Sequence, residues 1–362
     1  MNKKLVTLAV SAAIALPGLV NAAQVAGDAL EIYGKAHLSL DSVSAKDGSN
    51  NDVSNISMSS NSSRLGFKGE LPVGEMKSFY KIESSISFDT DGKSELAHRA
   101  AYAGLKDGFG SVLFGYRDTV FKDLRGKFDL FGDTVGDARD ILGSVNSSNL
   151  FDKRADNAIM YTTPKAGGVE VNVMYSTAWS GDTSAQAGQD NNNGSLLGAN
   201  VIYKADALMV TAGMVKQKYV DTTTGETTHT GTGTRLVGTY DMGDLRIGLV
   251  FENLDDDKDA NKNLRRSATG VNFAYKLSGE GKVKLQYIQA GDNDAVSDSG
   301  ATQTVVGYDY KLDKNATTYV AYSAVSNDTN AAYLIGNGHD QKYSTATGED
   351  VSAISAGYII SF

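Results

Sequence analysis

The sequence predicts an all-β fold, a closed antiparallel transmembrane β-barrel of about 16 strands, and three observations predict it. Apolar and polar residues alternate with period two in segment after segment along the chain. Short Gly-containing turns alternate with long connections rich in Asn, Asp, Ser, Thr and Gly. The composition, with 39 Gly, 18 Tyr, 3 Pro and no Cys in 362 residues, suits β-structure with tight turns and leaves no disulfide or thiolate metal site.

In chain order, Lys3 and Lys4 precede an apolar run over residues 5–20, and Val20-Asn21-Ala22 forms a peptidase site. Residues 1–22 read as a cleaved secretory signal, because the run is broken by Pro17-Gly18 and falls short of a membrane-spanning helix. The mature barrel domain is expected over residues 23–362. Loss of Lys3 and Lys4 makes that chain more acidic than the formal −9 of the whole, which argues against nucleic acid as a partner.

The first strand puts Leu30, Ile32, Gly34, Ala36, Leu38 and Leu40 on one face and Glu31, Tyr33, Lys35, His37 and Ser39 on the other. The second sets Leu65, Phe67 and Leu71 against Arg64, Lys68 and Glu70, and a third follows over 77–88. Hairpins are expected at 97–105 with 111–116, 154–162 with 169–175, 197–204 with 208–216, 234–240 with 245–253, 267–277 with 282–289 and 302–312 with 316–325, before a closing strand at 351–362. Residues 180–195, 220–233, 254–265, 291–301 and 326–350 read as surface loops. Pro72 and Pro164 are expected in turns, since a closed barrel offers no edge strand for proline. A soluble β-sandwich domain spans only about 100 residues, and no linker divides this chain into several.

Several motifs carry a resemblance. Ser63-Arg64-Leu65-Gly66-Phe67-Lys68-Gly69-Glu70, Arg99-Ala100-Ala101-Tyr102-Ala103-Gly104-Leu105 with Phe109-Gly110, Arg154-Ala155-Asp156-Asn157-Ala158-Ile159-Met160-Tyr161-Thr162-Thr163-Pro164 and the terminal Gly357-Tyr358-Ile359-Ile360-Ser361-Phe362 resemble, in this order and spacing, the trimeric general porins of Gram-negative bacteria. The resemblance covers essentially the whole mature chain. It implies a sixteen-stranded barrel in the outer membrane, a homotrimer, contact with outer-membrane lipid and lipopolysaccharide, and a final Phe362 read by the barrel-insertion machinery.

It further implies a water-filled channel for passive diffusion of ions and small hydrophilic solutes, narrowed by a third loop folded inward, here residues 118–149. Lys122, Asp123, Arg125, Lys127, Asp129, Asp133, Asp137, Arg139 and Asp140 give that stretch its mixed charge. Leu130-Phe131-Gly132-Asp133 matches the family's Phe-Gly-Gly loop tip only in part, and Gly115-Tyr116-Arg117 carries an extra residue where many members have Gly-Arg. With the apolar faces turned to lipid, Lys35, Arg64, Lys68, Lys81, Arg99, Arg117 and Arg154 line the lumen, because Arg or Lys facing mid-membrane lipid costs about 2–4 kcal/mol. Loop acids opposite this basic wall would set up a transverse field.

Asp89-Thr90-Asp91-Gly92 lacks the later ligands of a calcium loop, and Asp255-Asp256-Asp257 reads as a solvated acidic run in a loop. His37, His98, His229 and His339 are scattered without nucleophile or metal-ligand spacing. The expectation is therefore a channel with no catalytic residue, cofactor or metal. The rival readings are a solute-specific channel, which an aromatic ladder would mark, and a structural or adhesive barrel.

Overall fold

The computed structural model describes residues 23–24, 27–46, 49, 51–89, 99–145, 148–149, 151–179, 194–221, 226–259, 262–339 and 341–362. The signal segment 1–22 and His98 lie outside these residues. Sixteen antiparallel strands close into one barrel: β1 (Glu31–Lys46), β2 (Asp52–Ser60 continuing as Arg64–Val73), β3 (Met76–Ser85), β4 (Ala100–Asp107), β5 (Gly110–Asp118), β6 (Arg154–Thr162), β7 (Val169–Trp179) and β8 (Gly194–Ala205). The second half comprises β9 (Leu208–Val220), β10 (Thr227–Met242), β11 (Leu245–Asp259), β12 (Lys262–Lys276), β13 (Gly281–Ala290), β14 (Ala301–Asp313), β15 (Ala316–Asn327) and β16 (Val351–Ser361). Each pairs with its sequence neighbour, as hairpin connections dictate.

Closure comes from β1 against β16, in a register running from Lys35↔Ser361 to Ser44↔Ser352. Beyond it, Gly34 and Phe362 exchange backbone hydrogen bonds of 2.7 and 3.0 Å. The Phe362 ring lies where a Cβ on residue 34 would stand, so any larger residue there would displace the ring.

Alternation sorts the side chains. In β16, Ile354 and Tyr358 are exposed on the outer face while Val351, Ala353 and Ser355 are buried inside. Leu40, Phe114, Leu249, Phe251, Val320 and Tyr322 continue this outer apolar band around the wall. In water such a band would be costly, and in hydrocarbon it is the stable arrangement.

Four expectations are corrected. Residues 227–233 and 254–259 are strand, because β10–β12 extend as a ribbon beyond the apolar band; their Thr-rich and charged residues pair across it, as in Thr232↔Asp255 and Asp255↔Arg265. Asp255 is accordingly ion-paired with Arg265 at 2.9 Å, and Asp256 is buried, so the acidic run is neither a loop nor freely solvated. His229 likewise lies in β10, not in a loop. Pro72 lies within β2, paired with Lys77. Two residues earlier, the Glu70 N–H reaches Asp28 O on the β1 side, and at residue 72 no β1 rung remains, so the missing N–H breaks no ladder bond.

Candidate functional site

Between β5 and β6 the chain turns into the barrel from residue 119 to residue 153, a segment longer at its end than the expected 118–149. The Thr119 side chain accepts a 3.1 Å hydrogen bond from the Lys122 N–H and caps helix α1 (Val120–Phe128), with Asp123 in the first turn and Arg125 and Lys127 in the last complementing the dipole. Val120, Phe121, Leu124 and Phe128 recur at helical spacing and are fully buried. They pack on the inner face of β7–β12, among Met174, Leu196, Val215, Val237 and Ala268.

The wall makes room with glycine. A Cβ at Gly198 of β8, Gly213 of β9 or Gly307 of β14 would come within 2.8 Å of Val120, 2.7 Å of Leu124 and 2.6 Å of Phe131, closer than packed carbons allow.

The loop tip spans to the opposite wall. Phe131 is buried against Val305, Tyr319 and Ala321. Asp133, at φ 63° in a region that Asp tolerates, receives Lys35 of β1 at 2.8 Å, Arg64 of β2 at 3.1 Å and Arg139 at 3.2 Å. Burial alone would raise its pKa, but these three cations hold the carboxyl well below the usual range.

The other loop acids point elsewhere. Asp129 takes Arg125 at 2.7 Å and the N–H groups of Phe131 and Ala138; Asp137 takes Arg125 and Arg139, each at 2.9 Å, and the N–H of Asp133. Both are buried within the loop. Burial and the neighbouring Asp137 raise the pKa of Asp140.

Sequence reasoning missed the anchor of the loop's second half. Arg235 of β10, Glu252 of β11 and Arg266 of β12 have fully buried side chains. Glu252 pairs with Arg235, pairs with Arg266 at 3.2 Å and accepts the Gly143 N–H at 3.0 Å. Arg235 also meets Asp152 at 2.9 Å, and Arg266 donates to the Ser144 and Ile141 carbonyls. Parity along β10–β12 places these charges inward, but no sequence signal names their partners.

A second segment folds in as well. Residues 326–350 read as a surface loop, yet 326 and 327 end β15, and Ala331, Tyr333 and Ile335 are buried against Ala138, Ile141 and Leu142. Asp140 accepts the N–H groups of Gly336 and Asn337 at 2.9 and 2.8 Å, and His339 meets Asp41 of β1 at 3.0 Å. The apolar run Ala331-Ala332-Tyr333-Leu334-Ile335 is the sequence signal for this burial.

The inner face of β1–β6 stays uncovered below the loop tip. There Glu83, missed in the sequence, collects Arg99 at 2.9 Å, Lys81 at 3.1 Å and Arg64 at 3.7 Å and accepts the Tyr33 hydroxyl. Lys68 pairs with Glu31 at 2.9 Å, Arg117 with Asp123, and both Arg154 and Lys122 with Asp118 at 3.0 and 2.8 Å. Lys127 is exposed, with no ion pair among the described residues.

A Gram-negative porin family model matches residues 9–330. A "Monosaccharide porin" of Halomonas sp is 27% identical over 80% of this chain and 81% of its own, and "Outer membrane porin N" of Escherichia coli is 26% identical over 93% and 96%. Among solved structures, an anion-selective porin from Comamonas acidovorans superimposes with TM-score 0.77 at 22% identity, covering 92% of this chain and 99% of that one. The in-vitro folded OmpT of Vibrio cholerae in its trimer form does so with TM-score 0.65 at 22% identity, over 91% and 98%. With the closed barrel, its inward loop and these likenesses together, the chain belongs to the Gram-negative porins, outer-membrane channels for passive diffusion of ions and small hydrophilic solutes.

Proposed function

We propose that this channel favours small anions, and that its narrowest opening lies between the inward loop and the wall of β1–β6. One observation carries the reading. Lys35, Arg64, Lys81, Arg99, Arg117 and Arg154 of the wall, with Lys122, Lys127 and Arg139 of the loop, border this opening against the carboxylates of Glu83, Asp118, Asp123 and Asp133. The excess of cations raises the local concentration of anions in a narrow, wet passage. The acidic net charge of the chain does not oppose this, because several acids, such as Asp129, Asp137 and Asp140, are buried in the loop.

The functional unit is proposed as a homotrimer, supported by the trimer form of the Vibrio cholerae neighbour. Phe362 is proposed as the residue read by the insertion machinery, and outer-membrane lipid and lipopolysaccharide as the surroundings of the apolar band. Catalysis forms no part of the proposal. His339 holds Ser39 and Asp41 through the same Nε2 atom, whereas a nucleophile–base relay uses the two ring nitrogens for its two partners.

The test is single-channel recording in a planar bilayer under a KCl gradient. An anion-favouring reversal potential with conductance steps closing in threes supports the reading. A cation-favouring potential overturns it.

A further inference from the structure

The lipid-facing side of the wall carries a groove of its own. On β8–β11, Ala199 and Ala212 form a low floor between the taller Val201, Met214, Leu236 and Phe251, and the hollow measures about 510 Å³. Register sets its shape. Val201 stands beside Ala212, Ala199 beside Met214, Ala212 beside Leu236 and Leu236 beside Phe251, so the small side chains fall diagonally between the large ones. All six lie on the outer face, because Asn200, Thr211, Val215, Arg235 and Val250, each next to one of them in sequence, are buried on the inner side.

Cations stand at the top of this groove. β9 starts at a short turn, the periplasmic end in barrels of this type, and from Leu208 to Lys216 it climbs about 20 Å at about 3.4 Å per residue and a tilt of about 40°. That height is close to the external limit of an apolar band about 25 Å tall. Lys216 and Lys218 both point outward and are exposed, Lys216 two residues above Met214 and beside Leu197 and Thr232, Lys218 beside Ser195 and Thr230. Tyr175 of β7, paired with Leu197, puts an aromatic ring at the same level, as a membrane interface favours. Among the described residues neither lysine pairs with a carboxylate. The acids of β11 on this face are engaged elsewhere: Asp255 pairs with Arg265 at 2.9 Å, and Asp257 accepts the Thr230 N–H.

An apolar groove beneath two ammonium groups is complementary to an amphiphile with an anionic head. The two halves contribute differently. In hydrocarbon no hydrophobic force draws a chain to the wall, so the groove adds only close packing, whereas each lysine attracts a phosphate and offers it up to three donors. The long loops, and with them these lysines, belong to the external side, the leaflet that lipopolysaccharide occupies. We propose that this face seats one lipid A unit of lipopolysaccharide, with an acyl chain lying in the groove of β8–β11 and a phosphate held by Lys216 and Lys218 between the hydroxyls of Ser195 and Thr232. The seat rests on the lipopolysaccharide surroundings proposed above and gives them a fixed place; it does not depend on the pore charges.

The experiment titrates lipid A into the protein refolded in detergent and follows binding by native mass spectrometry, with dimyristoyl phosphatidylglycerol as the phospholipid control. The wild type is expected to take up a first lipid A more tightly than any later one and more tightly than the phospholipid. The double variant Lys216→Gln, Lys218→Gln should weaken that first step about thirtyfold. The double variant Ala199→Leu, Ala212→Leu, which fills the groove and keeps both charges, should weaken it about threefold. Both should conduct like the wild type, since neither touches the pore, and conductance thereby checks their folding. A lysine variant that conducts normally and keeps the wild-type affinity overturns the seat but leaves contact with lipopolysaccharide standing, because lipid A then binds elsewhere. An unchanged affinity in the alanine variant overturns the placing of the acyl chain, and equal affinity for phosphatidylglycerol overturns lipid A as the occupant. No tight lipid A on the wild type itself sinks the lipopolysaccharide reading together with its seat.

Discussion

Arg64 and Arg235 both point inward from a barrel strand, yet the walls around them do opposite work. On the β1–β6 side Arg64 is 23% exposed and shares Glu83 and Asp133 with other cations, in a passage that water fills. On the β7–β15 side Arg235 is fully buried under the loop, locked to Glu252 and Asp152. The lesson is that a charge on the inner face of a porin strand is not by itself a pore charge. Whether it meets solute or holds the constriction in place depends on which part of the wall the loop covers.

The sharpest way to break this contrast is Glu252→Ala. Removing one member of a buried charge network leaves Arg266 without a carboxylate and Arg235 with Asp152 alone, and is expected to cost about 3–5 kcal/mol, read as a lower thermal midpoint and a noisy, enlarged conductance. An unchanged midpoint and quiet channels would remove the anchor from the account. Next, Gly213→Val drives a side chain towards Leu124 and should cost about 1–3 kcal/mol, loosening α1 without touching any charge. If its channels are as quiet as the wild type, the steric seat of the helix is not needed.

On the open side, Asp133→Asn should cost about 1–3 kcal/mol, because it takes the carboxylate from a largely buried Lys35, while moving the reversal potential further towards anions. Asp129→Lys belongs to the other class: it buries a cation beside Arg125 and should unfold the loop tip, not tune selectivity.

The smallest effect concerns acid. Asp133 has its pKa lowered in the folded loop, so its latch is fully present above the ordinary carboxylate value of about 3.9 and is lost only as pH falls through the lowered one. The contribution of Asp133 to selectivity should hold between pH 7 and about pH 4, beneath a separate change near pH 6 from Asp123, whose carboxyl burial pushes up to about 6; a change centred near the ordinary value, absent in Asp133→Asn, would show that Lys35 and Arg64 do not hold the carboxylate.

Much of the barrel was legible in the sequence because each strand writes its own alternation, and lipid on one face punishes any error of parity. That is why Lys35, Arg64 and Lys81 could be set inward from local pattern alone. The extended ribbon of β10–β12 was not legible, because beyond the membrane nothing forces the apolar alternation and Thr- and Asp-rich strands look like loops. The roles of the acids in the inward segment were illegible for a different reason. Asp129, Asp133, Asp137 and Asp140 fall within twelve residues and look alike in sequence, yet Asp133 reaches the far wall, Asp129 and Asp137 fold the loop on itself, and Asp140 receives residues 336 and 337.

By itself, then, the sequence determined the strand number, the hairpin order, the inner and outer faces and the place where the chain leaves the wall, since these follow from periodicity two and turn chemistry. Only the tertiary structure decided where the inward segment lies, that a second segment joins it, and which charges are left facing water. Those choices rest on contacts between residues more than a hundred positions apart, such as Arg266 with Ser144 and Asp140 with Gly336. Their energy comes from burial and partnership, and no local pattern encodes either.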